Sequence, residues 1–174
     1  MPGVDPIASA REIWIANGWA DAARGMAAIT SVMRAHQLFL ARANEALRPF
    51  DLTFPRYEVL AWLVWQSDEG SLSLKELSEL SQVTPATITN AVARLEGAGL
   101  IRRTPHPHDA RTTLARITRR GRRVVAQSTA ALNAEVFETI DLSDDELDRL
   151  FRLLLQARIG AGDVVADADD AAAV

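Results

Sequence analysis

The side chains best able to do chemistry in this 174-residue chain are hydrogen-bonding groups, gathered between Thr84 and Arg111. Thr84, Pro85, Ala86, Thr87, Thr89, Asn90 and Arg94 fall on the start and outer side of one short helical pattern. An Asn amide can pair bidentately with the edge of adenine, and a Thr methyl can touch the methyl of thymine. The small residues around them let a helix approach such edges closely. Asp109 and Arg111 follow in a loop, where the guanidinium suits a narrow groove of concentrated negative potential. The Asp109 carboxylate is expected to hold the Arg111 guanidinium in place. No Ser/His/Asp set, Gly-rich phosphate loop or facing carboxylate pair accompanies them, so no catalytic residue is assigned and an enzyme is not expected. No cofactor is called for.

Charge is distributed to match. The window Ser71–Arg123 holds ten Lys and Arg against four Asp and Glu, a net charge of +6, while the remainder carries −10 of the overall −4. A basic module in an acidic frame is the electrostatic footprint of nucleic-acid binding. Cysteine is absent, which excludes disulfides, thiolate chemistry and Cys-based zinc sites. His106-Pro107-His108 is too sparse for a closed metal site, and no metal is assigned. No apolar run reaches the roughly 18 residues that span a bilayer, and no secretory leader is visible. A cytoplasmic protein without membrane contact is expected.

The elements that must position these groups can be read from caps and periodicity. Asp5-Pro6 starts a helix that runs to Asn17 and stops at Gly18. A long helix is expected from about Met26 to Leu47, with Ile29, Met33, Leu40, Ala43 and Leu47 as its apolar face. A third, carrying Tyr57, Leu60 and Val64, is expected to end at Gly70. Ser73 with Glu76 forms a capping box for Leu74–Leu80. Thr84 caps the next helix, whose buried side is Ile88, Val92 and Leu95, and which stops at Gly97-Ala98-Gly99. Ile101–Thr104 and Thr112–Ile117 alternate as the strands of a hairpin. Thr118 caps a helix to about Ile140, and Ser143 caps the last, with Leu147, Leu150, Phe151, Leu154 and Leu155 on its apolar face.

The fold class is therefore mainly α with a small β-hairpin: a winged helix-turn-helix with a helical dimerisation region. The expected divisions are an N-terminal extension helix (1–25), a dimerisation helix and linking helix (26–70), the winged lobe (71–117), C-terminal dimerisation helices (118–160) and a disordered acidic tail (161–174). The apolar excess of both terminal regions points to a homodimer.

The run Asp109-x-Arg111-x6-Thr118-x2-Gly121, behind TPATITNAVARLEGAGLIRR, resembles the MarR family of winged-helix transcriptional regulators. The resemblance covers roughly Met26 to Gly160. It implies a homodimer on double-stranded, pseudo-palindromic operator DNA, with two recognition helices in successive major grooves and two wings in flanking minor grooves. It also implies repression relieved by a small effector, often aromatic and anionic, between the dimer region and the DNA lobes. Met33, His36, Tyr57 and Trp62 are the candidate ligand-binding residues there, though each is also a plausible packing residue. Ala91 and Ala110 stand where the urate-responsive branch places arginine, and the peroxide-sensing branch needs a cysteine this chain lacks. A winged-helix module that binds protein instead of DNA is the alternative, and a small-molecule enzyme a more distant one.

Overall fold

The computed structural model describes residues 3–107, 109 and 111–164. It divides into two compact units, the first ending at Glu138 and the second beginning at Thr139. In chain order the first unit holds α1 (Pro6–Ala16), α2 (Ala20–Leu47), a 3-10 turn (Arg48–Phe50), α3 (Phe54–Trp65), β1 (Ser71–Ser73), α4 (Leu74–Leu80), α5 (Pro85–Gly97), β2 (Ile101–Pro105), β3 (Thr113–Ile117) and α6 (Arg119–Glu135). A second 3-10 turn, Phe137–Thr139, follows. The second unit contains α7 (Asp144–Gly160).

Caps set most boundaries. The Asp5 carboxylate accepts from the Ile7 N–H at 3.0 Å, and Pro6 opens α1. At α4 the Ser73 N–H donates to the Glu76 carboxylate at 2.7 Å, and the Ser73 hydroxyl accepts from the Glu76 N–H at 3.2 Å. Each half of this box satisfies a helix-end donor that has no partner in its own ladder.

Four boundaries differ from the sequence reading. α2 starts at Ala20, before Gly25, because α1 folds back on it; Ala23 is completely buried there. α3 stops at Trp65, and Gly70 (φ +67°) instead turns the chain into β1. β1 itself is an added strand. It pairs antiparallel with β3 (Leu72 opposite Ala115) on the edge away from β2, so the hairpin becomes a three-stranded sheet in the order β1-β3-β2. Three residues are too few to display alternation. α6 ends at Glu135, not Ile140, because Val136 leaves helical geometry (φ −127°, ψ −61°) and buries its side chain in the core.

That core joins the helices to the sheet. Leu47, Leu60 and Leu63 from the first half meet Leu77 of α4, Ile88, Val92 and Leu95 of α5, and Leu132 of α6, all fully buried. Side chains of this size contribute roughly 1.5–3 kcal/mol each on burial. The result fixes the inner face of α5, so its other face must stand outward. Apolar burial does not extend everywhere. On α2, Ala43 and Leu47 are buried, yet Ile29, Val32, Met33, Leu38 and Phe39 are exposed. On α7, Leu150, Phe151, Leu153 and Leu154 are exposed. The expected acidic tail lies outside the described residues from Val165 onward.

Candidate nucleic-acid interface

The helix-turn-helix is built by α4, a tight turn and α5. Gln82 takes the left-handed conformation (φ +51°) that lets the chain reverse. The Ser78 hydroxyl donates to the Val83 carbonyl at 2.6 Å, tying the turn to α4. Thr84 then caps α5. Its hydroxyl oxygen accepts from the Thr87 N–H at 3.3 Å and lies 3.0 Å from the Thr87 hydroxyl. Pro85 occupies the first helical position, where a missing N–H costs nothing.

With Ile88, Ala91, Val92 and Leu95 turned inward, Thr84, Pro85, Ala86, Thr87, Thr89, Asn90 and Arg94 are all exposed, as the sequence implied. Their hydrogen-bonding roles are not equal. Thr84 and Thr87 are engaged in the cap. The Thr89 hydroxyl donates back to the Pro85 carbonyl at 2.8 Å, so it offers outward only acceptor capacity and a methyl group. The Asn90 side chain has no hydrogen bond among the described residues, leaving both its amide donors and its side-chain carbonyl available.

The wing is the β2–β3 connection. Here one expectation is corrected. The Asp109 carboxylate accepts from the backbone N–H of Arg111 at 3.0 Å and from the Thr112 hydroxyl at 2.7 Å; it makes no ion pair with the Arg111 guanidinium among the described residues. A carboxylate two residues back closes an Asx-type turn more readily than it reaches a guanidinium. These bonds, with the Thr112 hydroxyl first, hold the Asp109 carboxyl below its ordinary range. Arg111 is exposed. The backbone N–H of His106 donates to the Thr112 carbonyl at 3.0 Å, closing the loop base. His108 and Ala110 lie outside the described residues. Among those described, no group of three His, Cys, Asp or Glu could hold a metal ion.

The second half of the sequence motif is architectural. The Thr118 hydroxyl accepts from the Gly121 N–H at 3.0 Å and donates to the carbonyls of Gly99 (2.9 Å) and Leu100 (3.1 Å). Gly121 is buried, and a Cβ on it would run into the Leu100 carbonyl oxygen and approach Ile117 Cγ1 at 2.8 Å. Thr118 and Gly121 thus seat α6 against the start of β2, which fixes the wing relative to α5.

The four candidate ligand-binding residues are scattered in character. Met33 and His36 are exposed on α2, so neither is a packing residue within this chain. Tyr57 is buried, its hydroxyl 2.9 Å from that of Thr129. Trp62 is half-buried, and its indole N–H is enclosed without a partner among the described residues. Sequence reasoning passed over Arg56, on the first turn of α3. It lines a cleft of about 220 Å³ together with Thr87, Asn90 and Arg94 of the recognition helix. A cation in the first turn of a helix, where the dipole favours anions, was the available signal.

Comparisons with known proteins agree with this geometry. Residues 52–113 match the MarR family model. The chain is 31% identical to the HTH-type transcriptional repressor IacR of Pseudomonas putida over 123 residues, 70% of this chain and 71% of that one. Among solved structures, Sco5413, a MarR family transcriptional regulator from Streptomyces coelicolor, superposes with a TM-score of 0.73 at 39% identity, covering 80% of this chain and 96% of its own. Sco3205 from the same organism, solved in complex with DNA, gives 0.68 at 25% identity over 76% of this chain and 84% of its own. CouR from Rhodococcus jostii RHA1, solved bound to p-coumaroyl-CoA, gives 0.63 at 27% identity over 72% and 87%. With the helix-turn-helix, the wing and a 39%-identical relative spanned almost end to end, the chain belongs to the MarR family of winged-helix transcriptional regulators.

Proposed function

We propose that this regulator is a cytoplasmic homodimeric repressor that reads a pseudo-palindromic operator through α5, with Asn90 as the principal base reader and Arg111 inserted in the flanking minor groove. The observation that carries this reading is the outward face of α5, where the unengaged amide of Asn90 stands beside small residues and Arg94. An amide with donors and acceptor both free matches an adenine edge. Thr84 and Thr87 shape the helix start, and Thr89 supplies a methyl for thymine. Pro85 and Ala86 permit close approach. The lobe 71–117 acts as the DNA-binding unit, and 26–70 with 118–160 as the dimerisation region.

Exposed apolar side chains in each unit support the dimer, since monomeric proteins rarely leave such patches uncovered. No described helix is long and apolar enough to cross a membrane, so lipid is not what covers them by spanning. Two-fold symmetry sets half-sites about one helical turn apart, roughly 10 bp.

A small effector binding near α2 and α3 is the proposed release signal, with Met33, His36, Tyr57 and Trp62 contributing. The enclosed, unpartnered indole N–H of Trp62 supports it, because a buried donor without an acceptor is costly and a ligand oxygen would satisfy it. The p-coumaroyl-CoA complex of CouR supports an aromatic, anionic class.

Selection of bound fragments from the source genome, followed by gel-shift titration at several salt concentrations, tests the reading. Steeply salt-dependent binding to a near-palindrome by a dimer is expected. Association that ignores salt and DNA sequence would instead favour a protein-interaction module.

A further inference from the structure

We infer that Arg56 and Arg120 extend the DNA interface beyond the recognition helix, forming with Arg94 a phosphate-binding track along the flank of α5. The inference rests on the DNA-binding reading above and adds residues that neither the motif nor the recognition face contains.

Thr87, Asn90 and Arg94 share one face of α5, spaced three and four residues apart. Arg56 closes that face into the cleft of about 220 Å³. Arg56 and Arg94 also border a second cleft, of about 660 Å³, where Arg120 joins them from α6 and Asp51 is the one carboxylate on the rim. The positive track is therefore continuous with the base-reading positions.

None of the three guanidiniums has an ion pair or hydrogen bond among the described residues. Three other cations of the same lobe are paired with acids: Lys75 with Glu79, Arg103 with Glu96 and Arg116 with Glu69. Two of the three are also placed against helix dipoles. Arg56 is the third residue of α3 and Arg120 the second of α6, ends at which a cation is disfavoured and an anion welcome. Clustered arginines at helix starts, with a single acid nearby, form a site lacking its counter-charge. The planar fork of arginine suits the oxygens of a phosphate. Because the track runs on from the base readers, the phosphate it meets is that of the DNA backbone.

The test uses the full-length protein and a random-sequence duplex of about three helical turns, since phosphate contacts carry no sequence information. The slope of log Kobs against log salt is measured for the wild type, Arg56→Gln, Arg120→Gln, the double variant, Arg56→Lys and Arg158→Gln. Each lost phosphate contact should shallow the slope by about 0.9. Arg56→Lys should keep most of it, and Arg158→Gln, which removes a charge already paired with Asp163, should keep all of it. Folding is checked by circular dichroism. A wild-type slope in the folded double variant overturns the proposal, as does an equal loss in Arg158→Gln, which would mean a general charge effect. If the double variant keeps the slope but loses thermal stabilisation by millimolar inorganic phosphate, the cleft serves a free anion and the proposal also fails. Absence of wild-type binding to any duplex would instead overturn the DNA-binding reading itself.

Discussion

Asp109 holds the backbone of Arg111, not its guanidinium: the carboxylate accepts the Arg111 N–H at 3.0 Å, and the Arg side chain is left exposed. The pair that reads in sequence as a salt bridge is a turn that presents an arginine. The two residues should therefore behave differently on substitution.

Arg111→Ala should weaken binding to all DNA sites by about 1.5–3 kcal/mol, the range for a hydrogen bond to a charged group. Asp109→Asn should do less, because an amide oxygen can still accept the Arg111 N–H. Asp109→Ala should fall between them. Full-strength binding by Arg111→Ala in a gel-shift titration would remove the wing from the interface.

Gly121→Ala should destabilise the fold by about 1–3 kcal/mol or more, the cost of overpacking. Its Cβ would meet a backbone oxygen, which cannot rotate away as a side chain can. Thermal unfolding measures this directly. An unchanged Tm would show that α6 and β2 are not packed as described.

Acid stability should follow the capping boxes. Glu76 is held below its ordinary value of 4.5 by the Ser73 N–H and then the Ser73 hydroxyl, and Glu146 likewise by Ser143. A lowered carboxyl contributes stability that is fully present above its ordinary value and lost as pH falls through the lower native one. Glu76→Gln should therefore flatten the acid limb of Tm against pH. Glu58 has the opposite sign. Burial raises it, so its ionised form opposes folding and the loss grows as pH rises through the raised value. Glu58→Gln should raise Tm at neutral pH and leave it nearly unchanged in acid.

Trimming the chain before Asp141 should leave a protein that aggregates, because it removes the apolar face of α7 (Leu150, Phe151, Leu153 and Leu154) from the proposed dimerisation region. Sedimentation of the full chain should show a dimer at micromolar concentration. A well-behaved monomer of the full chain would remove the dimer from the reading.

Much of this was legible because local chemistry dictates it. Asp5, Ser73, Thr84 and Thr118 cap helices by short-range hydrogen bonds, and the apolar spacing of Ile88, Val92 and Leu95 alone turns the face of Asn90 outward. What escaped depends on contacts distant in sequence. β1 exists only because β3 returns beside it. The end of α6 is set by Val136 entering the core, and the place of Arg56 beside Arg94 by the packing of α3 on α5. The engagement of Thr89 with Pro85 is local, but a sequence does not show which rotamer wins.

The most direct measurement is competition between the selected operator and random DNA at one fixed salt concentration, for wild type, Asn90→Ala and Thr89→Ala. Asn90→Ala should lower the specificity ratio by about 1–3 kcal/mol while leaving background binding nearly intact. Thr89→Ala should lower it less, since its hydroxyl proton is already committed to Pro85. If both variants keep the wild-type ratio, α5 is not the element that reads the operator.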